Sequence, residues 1–250
     1  MVLTTVSLAH PLKVDLSYSF HYVTYTEASC NINQNLFFLL DGTEANGEFC
    51  IMAIVLHMLV AAFNPTSTPS GTKLSTVLFH KSETVPPSVV FGLEHSCSDI
   101  QDSLKKLQQD FQHCGLRDEY VNNYPSICGT LSLAVDGLKK IRDLIPANQP
   151  GLRRANALVI MTDGVLDDSD KERIAILDEL ETKGVSSILA SAVRSANAKP
   201  PTVENLKKYT INNNEDDVII RDKVIDVGID IVRRMNATGV ICKELGKYNY

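Results

Sequence analysis

Two apolar runs of strand length in this chain do not alternate with polar residues. Leu36-Phe37-Phe38-Leu39-Leu40 and Ala157-Leu158-Val159-Ile160-Met161 offer no polar side chain to either face. A strand with one face in water reads apolar and polar in turn, because successive side chains point to opposite sides. Runs without that alternation need cover on both faces, the condition met in parallel sheets flanked by helices. The first run ends in Asp41-Gly42 and the second in Thr162-Asp163-Gly164.

The remaining segments fit the same plan. Glu48 to Phe63 reads as an apolar helix; from Phe49 onward only His57 is polar, and the run is shorter than the roughly 20 apolar residues that span a bilayer. Lys73–Phe79 and Ser88–Phe91 read as strands on either side of Pro86-Pro87, and Ser98 to Gln101 as a capping box opening a helix with Ile100, Leu104, Leu107 and Phe111 on one face. A helix over Thr130–Leu144, with an apolar stripe from Leu131 to Ile145, is stopped by Pro146. After the second run, Asp168 or Ser169 caps a helix that Gly184 closes. Val185–Val193 and Val218–Ile220 read as strands, Thr202–Tyr209 as a short helix, and Asp222–Met235 as the last helix. The expected fold is α/β, doubly wound, with a mostly parallel central sheet flanked by helices on both faces. Upstream, Val14, Leu16, Tyr18, Phe20 and Tyr22 alternate with polar residues, so 1–29 reads as an N-terminal extension or edge strand. The main domain is expected over 30–242, with a tail over 243–250.

The length of 250 residues suits one large domain, and a net charge of −6 with scattered basic pairs such as Lys105-Lys106 and Arg153-Arg154 builds no stripe for nucleic acid. The N-terminus shows no basic region followed by a clean apolar core, so no signal peptide is expected in this chain. The six cysteines, Cys30, Cys50, Cys97, Cys114, Cys128 and Cys242, contain no CxxC pair, which argues against a zinc or thioredoxin-like motif. There is no GxGxxG and no P-loop. His57, His80, His95 and His113 accompany no nucleophile elbow. A phosphatase of the haloacid dehalogenase type would need a second carboxylate at position 43, where Thr43 stands. The chain is read as non-enzymatic.

In a doubly wound sheet, ligands bind beyond the carboxyl ends of the strands. Leu40-Asp41-Gly42, Thr162-Asp163-Gly164 and the helix-opening Cys128-Gly129-Thr130 can converge there, and their two carboxylates and two threonine hydroxyls make an all-oxygen donor set suited to Mg²⁺, Mn²⁺ or Ca²⁺. Asp41-Gly42-Thr43-Glu44-Ala45, Gly129-Thr130 opening a helix, and Thr162-Asp163-Gly164 with Asp167-Asp168 beyond it stand in that order. In this the chain resembles the von Willebrand factor type A domain family, over about Cys30 to Cys242. The resemblance implies a metal-ion-dependent adhesion site held by Asp41, Thr43, Thr130 and Asp163. The ion's open position would take a carboxylate from a matrix protein such as collagen. Glu44, Asn46, Leu166, Asp167 and the Arg117 to Tyr124 loop would surround the crevice and set specificity. It also implies a secreted, non-membrane setting and a disulfide between Cys30 and Cys242, worth on the order of 4–5 kcal/mol if loop entropy governs. Cys114 and Cys128 form a candidate second pair, with Cys97 an alternative partner for either, while Cys50 reads as a buried thiol. Asn236-Ala237-Thr238 is a glycosylation sequon.

The family's third motif position carries a serine that gives the metal an oxygen; here it is Ala45. Magnesium readily keeps waters in its shell, so the expected site is a weakened one. The alternative is a structural or assembly domain of a matrix protein that uses no metal.

Overall fold

The computed structural model describes residues 34–42, 71–79, 86–114, 133–147, 154–162, 168–193 and 201–237, together with 56, 59, 60, 63, 65, 67 and 166; side chains are described within these except at 107–114, 224–225 and 236–237. Strands β1 (Gln34–Asp41), β2 (Thr72–Phe79), β3 (Ser88–Phe91), β4 (Ala155–Thr162), β5 (Val185–Val193) and β6 (Val218–Arg221) form one sheet in the order β3-β2-β1-β4-β5-β6. Every neighbouring pair is parallel except β2–β3, which is antiparallel. Helices α1 (Cys97–Cys114), α2 (Ala134–Leu144), α3 (Asp170–Thr182), α4 (Val203–Leu206) and α5 (Val224–Ala237) accompany the sheet, with three 3₁₀ turns between Lys207 and Asp217. The doubly wound α/β expectation is met.

The two non-alternating runs are the two central strands, and each buries both faces. Leu36, Phe38 and Leu40 of β1 and Val159 and Met161 of β4 pack in one layer with Ile100 and Leu104 of α1 and with Val227, Ile231 and Met235 of α5. Leu56, Leu59, Val60 and Phe63, all helical and at helical spacing, bury into that same layer. Phe37, Leu39, Leu158 and Ile160 face the other way, onto Val135, Leu138 and Ile141 of α2 and Ile176 and Leu180 of α3. Gly137 lets α2 lie close on the sheet: a Cβ there would come within 2.5 Å of Leu39 Cδ1 and 2.8 Å of Phe79 Cβ.

Two helix starts differ from the sequence expectation, and at a third the structure decides between two candidate caps. The capping box of α1 is Ser96 with Asp99, not Ser98 with Gln101: Ser96 N–H donates to Asp99 Oδ2 at 3.1 Å and Asp99 N–H returns to Ser96 Oγ at 3.4 Å. Gln101 turns instead toward the Cys97 sulfur. Leu133 is extended (φ −115°, ψ 100°) and α2 begins at Ala134, later than the Thr130 start expected. In α3, Ser169 is the cap, accepting from Glu172 N–H; Asp168 has a different task, described below. The expected ends hold. Ile145, ahead of Pro146, is extended (ψ 118°) as a residue before proline should be. Gly184 closes α3 with φ +86°, a conformation that favours glycine.

The amino ends of the parallel strands carry a buried polar layer. Arg154 Nε donates to Asn35 Oδ1 at 2.8 Å, and its Nη2 to the carbonyls of Gln34 and Gly71. Asn35 Nδ2 donates to Asn156 Oδ1 at 2.8 Å, and Gln34 Nε2 to Thr72 Oγ1 at 2.8 Å. These bonds join β1, β2 and β4 in a single register.

Candidate metal-type site at the strand ends

The chain leaves β1 toward β2 on one side and later places β4 on the other side of β1. The carboxyl ends of β1 and β4 therefore bound the point where strand order reverses, the usual ligand crevice of such sheets. Asp41 is the last residue of β1 and Thr162 the last of β4. The register pairs Leu40 with Met161, which brings the next two side chains together. Thr162 Oγ1 donates to Asp41 Oδ2 at 2.7 Å, and both residues are buried. Gly42 N–H donates to Phe79 carbonyl oxygen at 2.9 Å, so the chain stays in the β2 ladder one residue past Asp41. A carboxylate taken out of water is costly unless bonded or paired with a cation. Here its orientation is fixed by a hydroxyl from the neighbouring strand.

Asp168 forms the second carboxylate centre at this end. Its Oδ2 accepts from Ala134 N–H at 2.9 Å and its Oδ1 from Val135 N–H at 3.0 Å, at the start of α2. Leu133, at the cap position, offers no side-chain cap, so α2 is capped by a residue that follows β4. Tyr209 Oη donates to Asp168 Oδ2 at 2.8 Å. The Arg173 guanidinium lies 5.4 Å from the Tyr209 ring centroid and pairs with Asp170. Burial pushes the Asp168 carboxyl above its ordinary value; the hydrogen bonds from Val135, Tyr209 and Ala134 pull the other way, and nearby Asp136 adds to the rise. Burial, and then the Asp168 charge, push the Tyr209 hydroxyl strongly upward.

Of the residues singled out in the sequence as metal ligands, the structure places Asp41, buried at the end of β1 beside the switch point. Thr43, Glu44, Asn46, Thr130, Asp163 and Asp167 lie outside the described residues, as do Ala45 and the Arg117 to Tyr124 loop. Leu166 is half-buried and packs against the layer under α2 and α3, so part of its surface serves the core. Cys30, Cys50, Cys128 and Cys242 also lie outside the described residues. Cys97 and Cys114 are the two ends of the 18-residue helix α1. That length separates them by about 26 Å, far beyond disulfide reach, and Cys97 is a free thiol. The pairing of Cys97 with Cys114 is thereby excluded. Among the described residues no three His, Cys, Asp or Glu side chains stand together as metal ligands. The donors present at this end, a carboxylate held by a hydroxyl, are the oxygen type that a hard divalent ion takes.

The bond from Thr162 to Asp41 and the capping of α2 by Asp168 go beyond the sequence reading. The second had a sequence signal. Ser169-x-x-Glu172 is a complete capping box for α3, with Ser169 Oγ donating to Glu172 Oε2 at 2.7 Å, which leaves the preceding aspartate for another helix.

No protein-family model and no curated protein sequence matches the chain. Its likenesses are to solved structures. It is similar to proximal thread matrix protein 1 (PTMP1) from the mussel byssus, in one crystal form at 15% identity over 84% of this chain and 48% of that one, with a TM-score of 0.56. A second structure of that protein matches at 20% identity over 82% of this chain and 47% of that one, TM-score 0.56. A third, described as having a zinc-occupied MIDAS motif, matches at 14% over 84% and 48%, TM-score 0.56. The chain spans about half the length of these structures. At such identity the likeness establishes the fold, which is von Willebrand factor A-like. Among the described residues no helix is long and apolar enough to cross a membrane.

Proposed function

We propose that this chain is a non-enzymatic, secreted matrix-binding module whose strand-end crevice holds a weakened divalent-metal site. The observation that carries the reading is the buried Asp41 carboxylate at the sheet's switch point, oriented by the Thr162 hydroxyl. Asp41, Thr43, Thr130 and Asp163 would hold Mg²⁺, Mn²⁺ or Ca²⁺, with water in the place left by Ala45. A bound ion would act as a Lewis acid that accepts a carboxylate from the partner. Glu44, Asn46, Leu166 and Asp167 would border that partner, a matrix protein such as collagen. The module would extend over 30–242 and be closed by a Cys30–Cys242 disulfide. The likeness to a byssus matrix protein, one of whose structures has a zinc-occupied MIDAS motif, supports both halves of the reading.

The test is solid-phase binding of the full chain to fibrillar collagen in Mg²⁺ or Mn²⁺ and again with EDTA. Binding that disappears with EDTA is the expected result. Ala45 favours a second reading, a metal-independent assembly domain, for which binding would be the same with and without EDTA.

A further inference from the structure

Asp168 joins three parts of the chain that sequence keeps apart: the connection after β4, the start of α2, and the 3₁₀ turn ending at Tyr209. Its bonds to α2 are to backbone amides, so it holds that helix in place whatever the side chains there. The bond is also two-pronged, one oxygen to each amide, which fixes rotation as well as distance. Gly137 sets how closely the same helix lies on Leu39 and Phe79 at the carboxyl end of the sheet. Together they set the helix relative to the strand end where Asp41 sits.

We propose that Asp168 is a positioning residue for the strand-end metal site, holding the start of α2 at a preset distance from Asp41 before a cation arrives. This rests on the metal-site reading above. A cation site tolerates little displacement of its donors, and supporting hydrogen-bond partners commonly change metal affinity by 10- to 100-fold when removed. Tyr209 supports Asp168 in turn. Asp136, an exposed carboxylate in the first turn of the same helix, pairs with Lys139 and takes no part in the clamp.

The experiment is a Mn²⁺ titration of the full chain, followed by the electron paramagnetic resonance of free Mn²⁺. It is run in the natural sequence and in Ala45→Ser, each with Asp168→Asn, Tyr209→Phe and Asp136→Asn added singly. Amide exchange at Ala134 and Val135 is measured in the metal-free proteins. Asp168→Asn should weaken Mn²⁺ binding by about 10-fold and Tyr209→Phe by about 2- to 3-fold, while Asp136→Asn stays within about twofold. Exchange at both amides should accelerate in Asp168→Asn alone. If the parent chains bind Mn²⁺ and neither Asp168→Asn nor Tyr209→Phe weakens it, the positioning role is overturned and the metal reading stands. Equal losses in Asp168→Asn and Asp136→Asn would show loss of charge rather than of position, and would also overturn it. If neither parent chain binds Mn²⁺, the metal reading fails and the proposal fails with it. Should Asp168→Asn not fold, Tyr209→Phe decides, because it leaves both amide bonds in place.

Discussion

At the amino ends of β1 and β4, Arg154, Asn35 and Asn156 bond through their side chains, Arg154 also reaches the Gln34 carbonyl, and the Gln34 carboxamide donates to the Thr72 hydroxyl. At the carboxyl ends of the same strands stand two carboxylates, Asp41 and Asp168, met by hydroxyls of Thr162 and Tyr209 and by the amides of Ala134 and Val135. The first region matches neutral amides and one cation to acceptors within the fold, and its bonds run strand to strand. The second concentrates anionic acceptors at the sheet's switch point and, besides joining β1 to β4 through Asp41 and Thr162, ties a connection and a helix end. Polarity at one end sets register; polarity at the other arranges acceptors around a crevice.

If that division is right, substitutions at the two ends should separate stability from metal response. The largest stability loss is expected for Arg154→Ala, which strips donors from buried acceptors: about 2–4 kcal/mol by denaturant unfolding, with Mn²⁺ affinity unchanged. Gly137→Ala follows, at about 1–2 kcal/mol, since overpacking against Leu39 and Phe79 outweighs the gain in helix propensity. Thr162→Val should cost about 1–2 kcal/mol through the lost bond to Asp41. Unlike Arg154→Ala, it should also weaken Mn²⁺ binding roughly 10-fold in calorimetry. Ser169→Ala removes the α3 cap and should cost about 1 kcal/mol without touching metal affinity, which would separate its role from that of its neighbour Asp168. Lys105→Ala, breaking an exposed pair with Asp102 on α1, should stay within about 0.5 kcal/mol in thermal unfolding. A loss of metal response in Arg154→Ala equal to that in Thr162→Val would erase the distinction between the two ends.

The sheet was legible because its central strands are apolar on both faces and their partners fall at regular intervals; β3 and β5 match their expected bounds. Helix starts were less so. The choice between Ser96 and Ser98 turns on which acidic or amide side chain reaches back, and both spacings are present in the chain. The late start of α2 has no local signal at all, since its cap comes from Asp168, distant in sequence. For the site, Asp41 was legible as a polar residue ending an apolar strand. Thr162 was legible as part of the strand-ending Thr162-Asp163-Gly164 motif, but its bond to Asp41 follows only from the β1–β4 register.

The most direct measurement is calorimetric titration of Mn²⁺ and Mg²⁺ into the full chain, Ala45→Ser and Asp41→Ala, with thermal unfolding alongside. The account predicts weak binding by the natural sequence, tighter binding by Ala45→Ser, none by Asp41→Ala, and stabilisation that follows the same order. Absence of heat and of stabilisation in both the natural chain and Ala45→Ser would contradict it.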